Sequence, residues 1–306
     1  MTLTTRGSLA LVFSFIAFVA IALPLDRSST ATQQFTLSLL AWAFLAIALV
    51  LQPPAIRVQV IGLVVLATLL ECVGSLIWGA YTYRLENLPL YVPAGHGLFY
   101  LSALRAASLP LLRRHARTIV VAVAAGSTAW MLYGLVARPL PDLLGFVTWA
   151  IFVRFIVRGR YPLLYAVSFV MTTALELYGT GLGIWTWSPV LPVLMLPAGN
   201  PPTGIGAGYA AMDALTWRII ARIERGRAPR RLAERSPYDP VLDVGPAGRL
   251  QDLDHLQPHR FVAHVLEEAE GLAEQHRHYP DVDFVGESRP VERHRHADDD
   301  HLAVLL

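Results

Sequence analysis

The chain has 306 residues, 54% of them hydrophobic and only 16% charged, against roughly 25% charged in an ordinary soluble domain. A net charge of +2 gives no reason to expect a nucleic-acid partner, and a single cysteine, Cys72, excludes an internal disulfide and a Cys-based zinc site. Only six of the 23 acidic residues (Asp26, Glu71, Glu86, Asp142, Glu176, Asp213) precede residue 221, so the chain divides into two regions that face different solvents.

A helix that crosses a bilayer needs about 20 mostly apolar residues. Eight stretches qualify, at 8–25, 35–52, 58–80, 96–112, 118–137, 142–157, 161–184 and 200–221. The first follows Arg6 and precedes Ser29-x-Ala31, as a signal peptide would. It is longer than the about 7–15 residues of a signal h-region, so it reads as a span. The fourth carries Arg105, the sixth carries Arg154, and the eighth is rich in glycine.

Arginine in the short connections sets the orientation. Arg57, then Arg113, Arg114 and Arg117, then Arg158 and Arg160, and finally Arg218 and Arg222 close or follow the even-numbered spans. The odd connections are poor in arginine. Both termini are therefore expected in the cytoplasm. All 25 basic residues are arginine, which together with abundant Ala, Leu and Val points to a GC-rich bacterial genome and hence to the cytoplasmic (inner) membrane.

Beyond residue 222 the composition turns polar and rich in Pro, Gly, Asp and His. Residues 223–306 read as a largely disordered cytoplasmic tail, with one possible amphipathic helix over 260–278. The basic cluster Arg222–Arg235 suits anionic lipid headgroups. His276-x-His278 and His294-x-His296 have no fixed-spacing partner, so no metal site is assigned. No cofactor-binding motif occurs.

The most informative feature is an internal repeat. One copy reads Glu71-x-x-Gly74, Gly79-x-Tyr81-x-Tyr83, Pro93-Ala94-Gly95-His96; the other reads Glu176-x-x-Gly179, Gly183-x-Trp185-x-Trp187, Pro197-Ala198-Gly199-Asn200. The copies join the third span to the fourth and the seventh to the eighth. The predicted fold is thus an all-α integral membrane protein of two parallel four-helix repeats, 1–112 and 113–222, with the tail behind them. Both motif loops fall on the outer face. Glu71 lies about nine residues below the outer end of its span, about 13 Å at 1.5 Å per residue, and Glu176 lies at the matching depth.

Acidic residues at such depth face a cavity or a partner, and a buried carboxyl can serve as general acid or base. Glu71, Glu176 and Arg105 are the candidate catalytic residues, with Arg105 as the natural counter-charge of Glu71. Its aligned position in the second copy is Tyr209, so one glutamate is expected paired and ionised and the other lone and protonated. A purely structural Arg105–Glu71 pair is the alternative. His96 and Asn200 hold matching places at helix starts, as a polar contact or as caps. Tyr81, Tyr83, Trp185 and Trp187, with Trp78 and Tyr91, form either an interfacial aromatic belt or a wall for a hydrophobic ligand. Asp213 lies toward the inner end of the eighth span.

Glu-x-x-Gly followed by Gly-x-Tyr-x-Tyr resembles, over about fifteen residues per copy but with different spacing, integral-membrane carotenoid-modifying proteins, the hydratases and cyclases. The resemblance implies acidic residues that protonate an isoprenoid double bond. Three functions stand: an enzyme performing acid/base chemistry on a lipid or isoprenoid, a proton-coupled carrier of a small solute, and an assembly protein that recruits partners through its tail. Little polar lies below Glu71 or Glu176 in their own spans, which favours the enzyme over a through-pathway.

Overall fold

A computed structural model describes residues 4–225 of the protein. The tail, the 260–278 segment and the basic cluster beyond residue 225 lie outside the described residues. The described chain is mostly helical, in the order α1 (Thr5–Arg27), α2 (Ala31–Val50), α3 (Pro54–Glu71), a π-helical turn (Cys72–Ile77), strand β1 (Tyr81–Tyr83), α4 (Tyr91–Ala107), α5 (Pro110–Arg114), α6 (Ala116–Val136), α7 (Leu143–Arg158), α8 (Pro162–Leu182), strands β2 (Trp185–Trp187), β3 (Val190–Leu191) and β4 (Leu196–Pro197), a 3₁₀ turn (Ile205–Ala207) and α9 (Gly208–Arg225).

Among the described residues, five helices are long and apolar enough to cross a membrane: α1, α2, α3 with its π-helical extension, α6 and α8. Their outward faces carry Phe13, Ile16, Ile47, Leu69 and Val170, each at least half exposed, as a lipid-facing surface requires. The other three expected spans correspond to α4, α7 and α9. Two of these have 17 and 16 residues, short of the about 20 that span the hydrocarbon core unaided. The third ends in the charged run Arg218, Arg222, Glu224, Arg225.

α4 sits at the centre. Thirteen of its 17 residues are buried, and it packs on α1, α2, α3 and α8. That enclosure explains how a helix carrying His96, Ser102 and Arg105 can lie within an apolar bundle: its polar atoms meet protein, not lipid. α9 packs on α3, α7 and α8, so α3 touches α9 as α4 touches α8.

Above the bundle, β1 and β2 form a two-stranded antiparallel ribbon with Tyr81 opposite Trp187, Thr82 opposite Thr186 and Tyr83 opposite Trp185. The ribbon is symmetric about the Thr82–Thr186 pair, and it joins the two motif copies directly. Gly79 (φ 62°) and Gly183 (φ 71°) turn the chain from each helix into its strand. This is the left-handed region, which glycine enters without steric cost.

Two buried aspartates tie the loops to the bundle. Asp26 accepts hydrogen bonds from Ser29 Oγ (2.8 Å), Gln34 Nε2 (3.0 Å) and Tyr91 Oη (3.0 Å). Asp142 accepts from the backbone N–H groups of Gly145 (2.9 Å), Gly199 (2.9 Å) and Thr203 (2.6 Å). Asp26 lies at the end of α1 and Asp142 caps α7, and each fastens the segment that leads into α4 or α9.

Candidate functional site

Glu71 is the last residue of α3, at the point where the helix widens into the π-helical turn. Such turns recur at functional sites because they re-aim side chains without breaking the helix. Glu71 Oε2 accepts from Tyr81 Oη (2.7 Å) and Tyr83 Oη (2.8 Å), and Oε1 meets His96 Nε2 at 3.0 Å. Across the ribbon, Glu176 Oε2 accepts from Trp185 Nε1 (2.8 Å) and Trp187 Nε1 (3.0 Å). Each glutamate is thus held by the two aromatic donors of its own motif.

The glycine of Glu-x-x-Gly acquires a physical meaning here. A Cβ at Gly179 would stand 2.0 Å from the Trp185 ring, and one at Gly74 would stand 3.3 Å from Tyr81. The glycine is the seat on which the aromatic rests, so that its N–H or O–H reaches the carboxyl one helical turn earlier. The rings then pack across the ribbon, Tyr81 on Trp187 at 4.6 Å and Tyr83 on Trp185 at 6.2 Å between centroids.

His96 continues the network. Its Nδ1 lies 2.7 Å from Tyr209 Oη. Tyr209 can donate to Nδ1 while Nε2–H donates to Glu71, and that assignment of the ring proton satisfies both contacts. Phe99 stacks on the Tyr209 ring at 4.0 Å and holds it in place. Burial first, and then the Glu71 carboxylate, push the Tyr81 and Tyr83 hydroxyls well above the ordinary tyrosine range. Both remain hydrogen-bond donors.

These groups line one cavity of about 370 Å³. Both glutamates, His96, Tyr209 and the four ribbon aromatics border it. Phe15, Phe18, Val19 and Leu23 of α1 and Met212 and Leu215 of α9 supply much of the apolar wall. Leu215 is 45% exposed, so the cavity reaches the outer face of the helices. Among the described residues, no arginine or lysine lines it.

Several expectations change. Arg105 does not meet Glu71. It is 2% exposed and its guanidinium donates to Gln52 Oε1 from Nε (3.0 Å) and Nη2. It sits nine residues beyond His96 on α4, about 13 Å along the helix, too far to reach the carboxyl. His96 takes the place expected for the counter-group. Asn200 is exposed and accepts from the Trp187 backbone N–H at 3.1 Å, and it is not among the residues lining the cavity. The segment from Pro201 to the 3₁₀ turn delays the start of α9, so Tyr209, not Asn200, stands opposite His96. Asp213 is 3% exposed and lies outside the lining; it accepts from Tyr100 Oη, from Gln59 Nε2 (3.4 Å) and from Tyr165. Gln59 therefore supplies polarity below Glu71 that a reading of α3 alone understated. Of the expected aromatic belt, Tyr81, Tyr83, Trp185 and Trp187 turn inward onto the glutamates, Tyr91 donates to Asp26, and Trp78 is 40% exposed.

Tyr209 was not singled out for the site. The signal that could have found it is the break in register between Pro-Ala-Gly-Asn and the next helical stretch. Among the described residues no group of His, Cys, Asp and Glu has the geometry to hold a metal ion. The chain matches no protein-family description, no curated protein and no solved structure.

Proposed function

We propose that this chain is a multi-pass membrane enzyme that performs proton chemistry on a neutral lipid or isoprenoid, with Glu176 as proton donor and Glu71, backed by His96 and Tyr209, as proton acceptor. One observation carries the reading: two carboxyls, each clamped by a pair of aromatic donors, face the same apolar cavity, with no arginine or lysine in its wall among the described residues. A phosphorylated substrate would meet two carboxyls and no strong cation there, which is unfavourable on charge alone. An uncharged hydrocarbon chain matches the lining.

The roles follow from donor chemistry. Glu71 has donors on both oxygens, three in all, and that surrounding favours a carboxylate that receives a proton or faces a developing positive charge. Indole N–H groups only donate. Both bond to Glu176 Oε2, and Oε1 has no hydrogen-bond partner among the described residues. A proton on Oε1 is therefore free to leave toward a substrate in the cavity.

In this reading α4, α7 and α9 complete eight spans in two four-helix halves, 1–112 and 113–222. The arginine-bearing connections face the cytoplasm, the ribbon faces out, and Arg222–Arg235 rests on anionic headgroups of a bacterial inner membrane. The matched offset of the motif copies and the symmetric pairing of the ribbon support the two halves.

The test compares membrane lipids and pigments by mass spectrometry in a strain lacking the gene, the same strain with the wild-type gene restored, and one restored with Glu176→Gln. A species that is lost on deletion and returns only with wild type supports the reading and names the substrate class. Identical profiles in all three strains, with the protein present in the membrane, would overturn it. A proton-coupled carrier is the second reading, favoured by the polar contacts that continue beneath His96 between α4 and α9.

A further inference from the structure

Beneath the carboxyl site, α4 and α9 meet through two polar contacts at the same sequence separation. His96 pairs with Tyr209, and Tyr100 pairs with Asp213, each pair 113 residues apart. On both helices the second pair lies four residues after the first, one turn or about 6 Å lower. The upper pair touches Glu71 directly. The lower pair is extended by Tyr165 of α8 and Gln59 of α3, which both donate to Asp213. Farther along α4, Arg105 and Gln52 form the next buried polar contact toward the arginine-bearing end.

Beside this seam, on the α3–α9 contact, lie polar atoms without a protein partner among the described residues. Gln59 Oε1 and Thr216 Oγ1 are buried and unpaired among the described residues, in side chains 1% and 2% exposed. Gln59 already holds Asp213 through Nε2. Thr216 is one turn below Asp213 and faces α3 at Gly62, three residues from Gln59. Buried polar atoms of this kind are normally satisfied by ordered water. Two such atoms flank Asp213, and each can bind a water molecule.

We propose that the α4–α9 seam is a proton path between the carboxyl site and the arginine-bearing end of the bundle, with Asp213 as its inner station. It rests on the reading of Glu71 as a group that gains and loses a proton in each cycle. Tyr209 O–H passes its proton to His96 Nδ1 as Nε2–H passes to Glu71 Oε1, and Tyr209 is reprotonated from the Tyr100–Asp213 pair. The reverse sequence, starting from the Nδ1–H tautomer of His96 that this transfer leaves, discharges Glu71 to Asp213 and restores the Nε2–H tautomer. The step between the pairs covers one helical turn, which one water spans with two hydrogen bonds of about 2.8 Å. Only O–H and N–H bonds form and break, and the net transfer is one proton.

Among the groups facing Asp213 are Tyr100 from α4, Tyr165 from α8 and Gln59 from α3. Those facing His96 are Glu71 and Tyr209, and the Glu176 carboxyl lining the same cavity is near enough to act on it through charge. A structural role would give the same contacts, so the test must separate transfer from packing. The full-length protein in nanodiscs is held at a pH low enough to protonate both glutamates, and its carboxyl C=O bands are assigned by infrared spectroscopy with Glu71→Gln and Glu176→Gln. The buffer is then changed to D₂O and the rate at which the Glu71 band shifts is followed. Asp213→Asn and, separately, the milder Tyr100→Phe are expected to slow that exchange about tenfold or more, the scale of losing one placed proton-transfer group. The amide bands serve as the internal control. Loosened packing would speed both exchanges. An unchanged or faster Glu71 shift in both variants overturns the path and leaves the cavity as the route of proton supply. The lipid comparison and this exchange fail independently: unchanged lipids with slowed exchange would retain the seam and remove the substrate reading.

Discussion

The glycine seat makes unequal demands on the two motif copies, and that inequality can be measured. At Gly179 an added methyl would stand 2.0 Å from the Trp185 ring, with two more ring carbons at 2.3 and 2.4 Å. Relief to an ordinary contact of about 3.5–4.0 Å requires the indole to move by about 1.5–2 Å. A shift of that size breaks the 2.8 Å bond to Glu176. Overpacking of this kind costs about 1–3 kcal/mol, and the lost bond to a carboxyl adds about 1.5–3 kcal/mol. The gain from replacing a helical glycine offsets only about 0.5–1 kcal/mol. Gly179→Ala is therefore expected to destabilise by about 2–5 kcal/mol. At Gly74 the nearest Tyr81 atoms would be 3.3 Å away, a contact relieved by a few tenths of an ångström, so Gly74→Ala is expected within about 1 kcal/mol of wild type. Thermal unfolding of both variants in the same detergent, followed by tryptophan fluorescence, decides the matter. At about 2–4 °C per kcal/mol for a protein of this size, Gly179→Ala falls by several degrees or more and Gly74→Ala stays close. Equal shifts, or a larger one for Gly74→Ala, would refute the seat.

Three further expectations follow from buried polar contacts. Asp142→Ala removes the acceptor of three backbone N–H groups; at about 1–3 kcal/mol for each buried donor left unpaired, the variant should lose several kcal/mol in thermal unfolding, and Asp142→Asn, which keeps one oxygen, should lose less. Gln52→Ala strips Arg105 of its described partner and is expected to cost about 3 kcal/mol or more, whereas Gln52→Leu with Arg105→Met should recover most of it, because an apolar pair replaces a buried charge; a double-mutant cycle reads the difference. Tyr81 and Tyr83 have raised pKa values in the fold, so the unfolded chain releases their protons first. The stability they contribute is present below the ordinary tyrosine pKa of about 10 and is lost as pH rises above it. Alkaline titration should show their tyrosinate absorbance only together with loss of helix, and tyrosinate appearing in the intact helical protein would contradict it.

Much of this architecture could be read from residue pattern because it depends on local rules. Apolar runs marked the helices α1, α2, α3, α6 and α8, since a membrane span is a property of composition over about 20 residues. The ordered motif brought Glu71, Tyr81 and Tyr83 together, and likewise Glu176, Trp185 and Trp187, because a glutamate, a glycine seat and a following strand are close in sequence. What escaped was long-range. The separation of His96 from its partner Tyr209 depends on how many residues the Asn200–Ala207 segment uses before α9 begins, and no periodicity encodes that. Arg105 was assigned to Glu71 because both are charged and their helices are adjacent. The rise along α4 separates them, and Gln52 at the end of α2, remote in sequence, takes the guanidinium instead.

The two carboxyl sites share a frame and differ in the chemistry mounted on it, and the difference lies in Tyr against Trp. A tyrosine hydroxyl donates and accepts, so the Tyr81–Tyr83 pair can adjust to either charge state of Glu71. An indole only donates, so Trp185 and Trp187 fix Glu176 Oε2 as an acceptor in both states and confine any proton to Oε1. Trp187→Tyr would restore the choice: its hydroxyl could accept from a protonated Glu176, drawing the proton away from the cavity. If Glu176 is the donor, Trp187→Tyr should lower the amount of the wild-type-dependent lipid species toward the Glu176→Gln level while leaving the melting temperature within a few degrees. The same change at Tyr83, Tyr83→Trp, should be tolerated better, because Glu71 retains His96 and Tyr81 as donors. Equal losses from both substitutions would mean that the aromatic pairs only fill space, and the unequal roles of the two glutamates would fall with them.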